Sequence, residues 1–128
     1  MIVLDASVLI AHLDASHAHH DQATAALMEL ADEPFAASPL NLAEVLGGPA
    51  RAGRLDEADV ALRRLEVTAV PLEDDAPARL ATLRAVTRLK LSDCCVLLAA
   101  EQTGSSVVTF DDRLAAAVRE RGLRVGGR

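Results

Sequence analysis

The segment CCVLLAA, residues 94–100, is apolar on every side. A helix built from it has no face to turn to water, so other layers of the chain must enclose it. Its start is expected at Ser92 or Asp93, the polar residues just ahead of the run. A chain of 128 residues can supply those layers as one domain, residues 1–128, burying roughly two-thirds of its unfolded surface. Phe35 and Phe110 are its only aromatic residues apart from histidine. The core must therefore come from Ala, Leu and Val, which suits helices packed closely on a sheet.

The rest of the sequence alternates short strands with helices. Residues 2–4 read as a buried strand and residues 8–13 as the helix after it. A second helix is expected from near His20, with Ala23, Leu27 and Leu30 on one face. Residues 35–37 form a brief strand. Pro39 suits a helix first turn, and LNLAEVLGG carries that helix to a stop at Gly47-Gly48. Leu55, Ala58, Leu62 and Leu65 recur at helical spacing. Residues 67–70 read as a third strand closed by Pro71, and residues 74–87 as a helix with Leu80, Leu83 and Val86 inward. A fourth strand over 106–109, a helix over 112–121 capped by Gly122, and a candidate fifth strand over 123–125 complete the pattern. Alternation of this kind implies an α/β three-layer sandwich, a short and largely parallel sheet flanked by helices.

Composition narrows the setting. No apolar run approaches the roughly 20 residues that span a bilayer, and no basic, cleavable leader opens the sequence. Cys94 and Cys95 adjoin each other in an apolar run, which fits buried reduced thiols. A cytoplasmic protein with no membrane association is expected. The net charge of −6 argues against a broad basic face for nucleic acid, although a bound divalent cation would invert the field of an acidic site.

Asp5 sits in the aliphatic stretch IVLDASVLIA with only Ser7 for polar company. A buried carboxylate must be paired, ligated or brought to an edge. In a parallel α/β sheet the ligand edge lies beyond the carboxyl ends of the strands, and Asp5 and Asp111 both follow strands there. Each has an ordinary alternative as a helix cap. Glu44, within PLNLAEVLGG, has one as a surface glutamate. Asp93 has one as an acid at the positive end of a helix dipole. Helix capping explains each of these acids singly, but not four of them meeting at strand ends and helix starts.

As a set, IVLDASVLIA, NLAEVLGG, KLSDCCVLLAAE and VVTFDDRLAAA resemble the PIN-domain family, and within it the VapC toxins of bacterial toxin–antitoxin pairs. The resemblance runs over nearly the whole chain. It implies a magnesium- or manganese-dependent endoribonuclease that hydrolyses RNA phosphodiester bonds, leaving a 5′-phosphate, and that a VapB-like antitoxin holds inactive. It makes Asp5, Glu44, Asp93 and Asp111 the metal-binding and catalytic acids. Ser7 and Thr109 would support them, with Asp112 beside. The sequence departs from relatives at Cys94-Cys95, where small or aromatic residues are usual, and its acidic charge leaves the RNA surface open. Arg113 and Arg88, or a groove across a homodimer, are the candidates for it. Dimer and antitoxin contacts are expected on DQATAALMEL and DEADVALRRL, whose apolar faces exceed what one small sheet covers.

The chemistry suits the acids. Close carboxylates repel each other by about 4 kcal/mol per pair at an effective dielectric constant of about 20, and magnesium relieves this with oxygen ligands and retained waters. Asp111 is preferred over Asp112 because it shares a helix face with Leu114 and Val118. Other functions fit less well. A haloacid-type phosphatase wants two aspartates flanking one residue where this chain has Asp5-Ala6-Ser7. A receiver wants a lysine after its last strand, and the only lysine, Lys90, precedes the central helix. A PIN-like module that binds RNA or a partner without cleaving is the remaining alternative. The histidines at 12, 17, 19 and 20 match no compact zinc spacing, and Glu73-Asp74-Asp75 reads as an acidic helix start.

Overall fold

The structure, a computed structural model, describes residues 1–126. Four strands, β1 (Ile2–Leu4), β2 (Phe35–Ala37), β3 (Thr68–Ala69) and β4 (Ser106–Val108), form one sheet in the order β3-β2-β1-β4. Every pairing among them is parallel. The chain steps from β1 outward through β2 to β3, then crosses back to lay β4 on the other side of β1. The order therefore reverses between β1 and β4, and a crevice opens there at the carboxyl edge.

Alternating residues send the two faces of the sheet to two cores. Ile2, Leu4 and Val108 pack with α1 (Ala6–Leu13), α2 (His20–Glu29), α3 (Pro39–Arg51) and Leu62 of α4 (Leu55–Arg64). Val3 and Val107 pack with α5 (Ala76–Thr87), α6 (Leu91–Thr103) and α7 (Asp112–Glu120). Helix α6 is the enclosed one, with all of residues 93–100 buried. The result is the α/β sandwich expected from the alternation, with a sheet that is parallel throughout its named strands.

Several boundaries differ from those the local pattern predicts. Helix α3 does not stop at Gly47-Gly48 but runs to Arg51 with Pro49 inside it. Helical backbone is disfavoured before a proline because the preceding Cβ meets the proline ring. Gly48 has no Cβ, so the glycine that reads as a stop lets the helix continue. Helix α6 starts at Leu91, not at Ser92 or Asp93, because the Lys90 carbonyl accepts from the Cys94 N–H at 3.1 Å and closes a turn earlier. Helix α1 begins at Ala6 rather than Val8, directly after Asp5. Helix α5 begins at Ala76 rather than Asp74, with Pro77 in its first turn.

The sheet margins are shorter than the sequence pattern. Strand β3 holds only Thr68 and Ala69, both exposed. The expected fifth strand is reduced to a single parallel bridge between Val125 and Val107. Two of the four histidines join helices. His12 shares a hydrogen bond with Thr24 Oγ1 at 2.9 Å, and His20 with the Ala11 carbonyl at 3.0 Å, so this ring pair ties α1 to α2. No helix of the described residues is long and apolar enough to cross a membrane.

Candidate metal and catalytic site

Asp5 is the residue between β1 and α1, and it is only 6% exposed. It stands at the helix N-cap without making a side-chain cap. Its Oδ2 instead accepts from Ser7 Oγ at 2.8 Å and from Thr109 Oγ1 at 2.7 Å. Thr109 directly follows β4, so this bond spans the crevice where the strand order reverses. Thr109 Oγ1 also accepts from the Asp111 N–H at 3.0 Å. One hydroxyl thereby sets both the Asp5 carboxylate and the entry into α7. Thr109→Val keeps the shape and removes the hydroxyl. It should lower stability by about 1–3 kcal/mol, since the buried Asp5 Oδ2 loses one of its two donors and the Asp111 N–H loses its acceptor. Denaturant unfolding of the purified variant measures this.

Asp111 is the N-cap of α7, its Oδ1 accepting from the N–H groups of Arg113 at 2.8 Å and Leu114 at 3.2 Å. Capping does not exhaust it. Its Oδ2 takes no hydrogen bond among the described residues, and it lines a cavity together with Asp93. Asp112, the first residue of α7, is exposed.

Asp93 lies in the first turn of α6 and is 5% exposed. Burial is the largest influence on its carboxyl group and the negative charge of Asp5 the next. With Asp111 and Glu44 adding to them, and Lys90 opposing, they raise its pKa from the usual aspartate range to about 6. Asp5, Asp111 and Glu44 therefore all lie close enough for their charges to reach Asp93. Glu44 is exposed on α3 and is the outermost of them. It is oriented by Asn41, which is fully buried and donates from Nδ2 both to Glu44 Oε1 at 3.1 Å and to the Ser92 carbonyl at 3.0 Å. Asn41 thus pins α3 to the start of α6. Sequence reasoning missed it, although its place three residues before Glu44, on the same helix face, was the available signal.

The donor set suits a hard cation. Asp5 and Asp93 are buried acids, Asp111 keeps a free oxygen, and the buried Asn41 Oδ1 has no hydrogen-bond partner among the described residues. No three His, Cys, Asp or Glu side chains among the described residues lie close enough to hold one ion directly. Magnesium does not require that, since it is usually bound through one or two carboxylates and several waters. Cys94 and Cys95 are free and buried, and burial pushes both of them up in pKa.

A cavity of about 440 Å³ opens beside Asp93 and Asp111, lined also by Arg84, Arg88, Lys90 and Arg113. None of these four cations makes a salt bridge among the described residues. An acidic protein therefore keeps a local basic wall next to its acids. Arg88 and Arg113 were expected there, but Arg84 and Lys90 were not, because only folding brings the end of α5 to the start of α7. Arg88 ends α5 in the left-handed region, with φ 60°. Glu66 is the other non-glycine residue described in that conformation, which Gly53, Gly104 and Gly122 also adopt.

The sequence profile of the PIN domain matches residues 2–120, and the chain belongs to the PIN-domain family. Among solved structures, a toxin–antitoxin complex from Klebsiella pneumoniae is similar with a TM-score of 0.76 and 23% identity, over 92% of each chain. PAE2754 from Pyrobaculum aerophilum is similar with a TM-score of 0.55 and 27% identity, over 90% of this chain and 84% of that one. No curated protein sequence matches the chain.

Proposed function

We propose that the protein is the toxin of a VapC-like toxin–antitoxin pair, a magnesium- or manganese-dependent endoribonuclease that works in the cytoplasm. The observation that carries this reading is the buried carboxyl of Asp93, which feels the charges of buried Asp5, of Asp111 and of Glu44 and has a basic wall alongside. The carboxylates would hold the ion, which when bound supplies charge neutralisation on the phosphoryl oxygens and an activated water. Ser7 and Thr109 orient Asp5, Asn41 orients Glu44, and the N-terminal turn of α7 orients Asp111. Arg84, Arg88, Lys90 and Arg113 draw the RNA phosphates to the edge of the acids, where arginine contributes bidentate contacts.

A VapB-like antitoxin and a second copy of the chain are the proposed protein partners. Met28 at the end of α2 is 74% exposed, and Leu55 and Val60 on α4 are each 44% exposed. The fold of this chain thus leaves part of both helices' apolar faces uncovered. The likeness to the Klebsiella toxin–antitoxin complex supports the antitoxin half of this reading.

Incubation of the purified chain with total RNA, with magnesium and with EDTA, tests the function. Cleavage abolished by EDTA and by Asp93→Asn supports it. RNA that is bound but uncut in magnesium and in manganese would instead favour a silent binding module. Light scattering at micromolar concentration tests the dimer, which a monomer reading would overturn. Arg88 gives a separate handle. Arg88→Gly removes a charge and relieves left-handed backbone strain of about 1 kcal/mol. The variant should melt no earlier than the parent yet bind RNA more weakly, as a melting curve and a filter-binding titration would show.

A further inference from the structure

Phe110 and Asp111 are consecutive, yet they border different cavities. Asp111 lines the basic one, whereas Phe110 lines a second cavity of about 420 Å³ on the α2 side of the edge. His19, Gln22 and Ala25 bound it from α2 and the turn before it, and Thr109 bounds it from the end of β4. The Phe110 and His19 rings stand 5.8 Å apart and tilted by 46°. Part of Phe110 rests on the core beneath α1 and α2, which holds the ring in place. The rest of it remains accessible, and His19 is exposed.

The position of that ring is informative because aromatic residues are so scarce. The chain has no Trp or Tyr and two Phe, and Phe35 is 4% exposed in the core. The one phenylalanine with an accessible face is thus placed between Thr109, which bonds Asp5, and Asp111. The chemistry of the walls differs from that of the basic cavity. Among the described residues this lining holds no arginine or lysine, and Glu29 lies along it, which disfavours phosphate. Gln22 offers an amide donor and acceptor, and Ala25 leaves room beside it.

We propose that this cavity takes one unstacked nucleobase of the substrate, stacked on Phe110 and His19, with Gln22 at its polar edge. The proposal rests on the ribonuclease reading above and adds to it a site for one base of single-stranded RNA. Proteins read such RNA by stacking splayed-out bases on aromatic and histidine rings. The strand would cross the acids with its phosphates toward Arg84, Arg88, Lys90 and Arg113 and a base turned toward α2. A paired, stacked base cannot enter without leaving its helix, so duplex RNA should be a poor substrate.

The test uses Asp93→Asn protein and a single-stranded RNA oligonucleotide carrying 2-aminopurine, whose fluorescence falls when it stacks. Quenching on binding is expected. Adding Phe110→Leu should abolish the quench and weaken binding about tenfold, the scale of one base–aromatic stack, and Phe110→Trp should restore both. In the cleaving protein, Phe110→Leu should raise KM by a similar factor and change kcat little. His19→Ala, at an exposed position, should weaken binding in the same direction and decides the matter if Phe110→Leu melts early. A parent that cleaves RNA while these variants keep its affinity, quench and KM would overturn the base site alone. A parent that neither binds nor cleaves RNA would overturn the ribonuclease reading and the base site with it.

Discussion

Asp111→Asn should lower metal-dependent RNA cleavage by at least ~100-fold, the scale of losing one group that stabilises transition-state charge. Asp112→Asn should stay within about tenfold of the parent. The structure sharpens this contrast by separating two uses of Asp111. Its Oδ1 caps α7, accepting from the N–H groups of Arg113 and Leu114, and asparagine caps a helix about as well as aspartate does. The substitution therefore leaves the helix start intact while removing the charge that Asp111 presents to the cavity it shares with Asp93. Equal melting temperatures with unequal cleavage rates at saturating magnesium are the expected result. The reverse ranking of the two variants would mean that Asp112 carries the charge that matters.

The metal-free protein should lose stability as the pH rises from about 4, the value of an unfolded aspartate, through about 6, the value in the fold. The native state holds the Asp93 proton more tightly than the unfolded chain does. Its contribution is therefore full below the lower value and lost above the upper one. Above pH 6 the ionised carboxylate is buried within the field of Asp5, a cost that Lys90 opposes in part and a bound cation would offset further. Magnesium at a hundredfold over its dissociation constant should restore about 2.7 kcal/mol at pH 7 if it binds only the native state. Asp93→Asn removes the titrating group. In EDTA at pH 7 this variant should be more stable than the parent, with a flatter pH profile and a smaller response to magnesium. Melting curves at pH 5, 6 and 7, in EDTA and in magnesium, measure all three. Parent and variant profiles that coincide would remove Asp93 from the account.

Much of the architecture was legible because it depends on patterns a few residues long. The all-apolar run at 94–100 requires enclosure, and alternation of short strands with helices requires a layered sheet. Burial of residues 94–100 follows directly from that. Local pattern failed where a neighbour or a distant carbonyl outweighed it. Gly47-Gly48 reads as a stop, but α3 continues because glycine is what tolerates a helix before Pro49. Residues 123–125 read as a strand, but they touch β4 through a single bridge.

The sequence by itself determined which acids the protein has, that Asp5 and Asp111 follow strands, and that Ser7 and Thr109 stand two residues from them. Those facts are local, and short-range backbone geometry carries them. Only the tertiary structure decided what the acids do to one another. Asp5 and Thr109 are 104 positions apart in the chain, and they meet because the strand order reverses between β1 and β4. Asn41 and Ser92 meet because α3 reaches across the edge of the sheet to α6. The same closure gathers four cations from α5, α6 and α7 beside two of the acids, and it sets Phe110 against His19. Electrostatic coupling and stacking depend on distance in space. Separation along the chain does not predict them until the sheet has brought its carboxyl ends together.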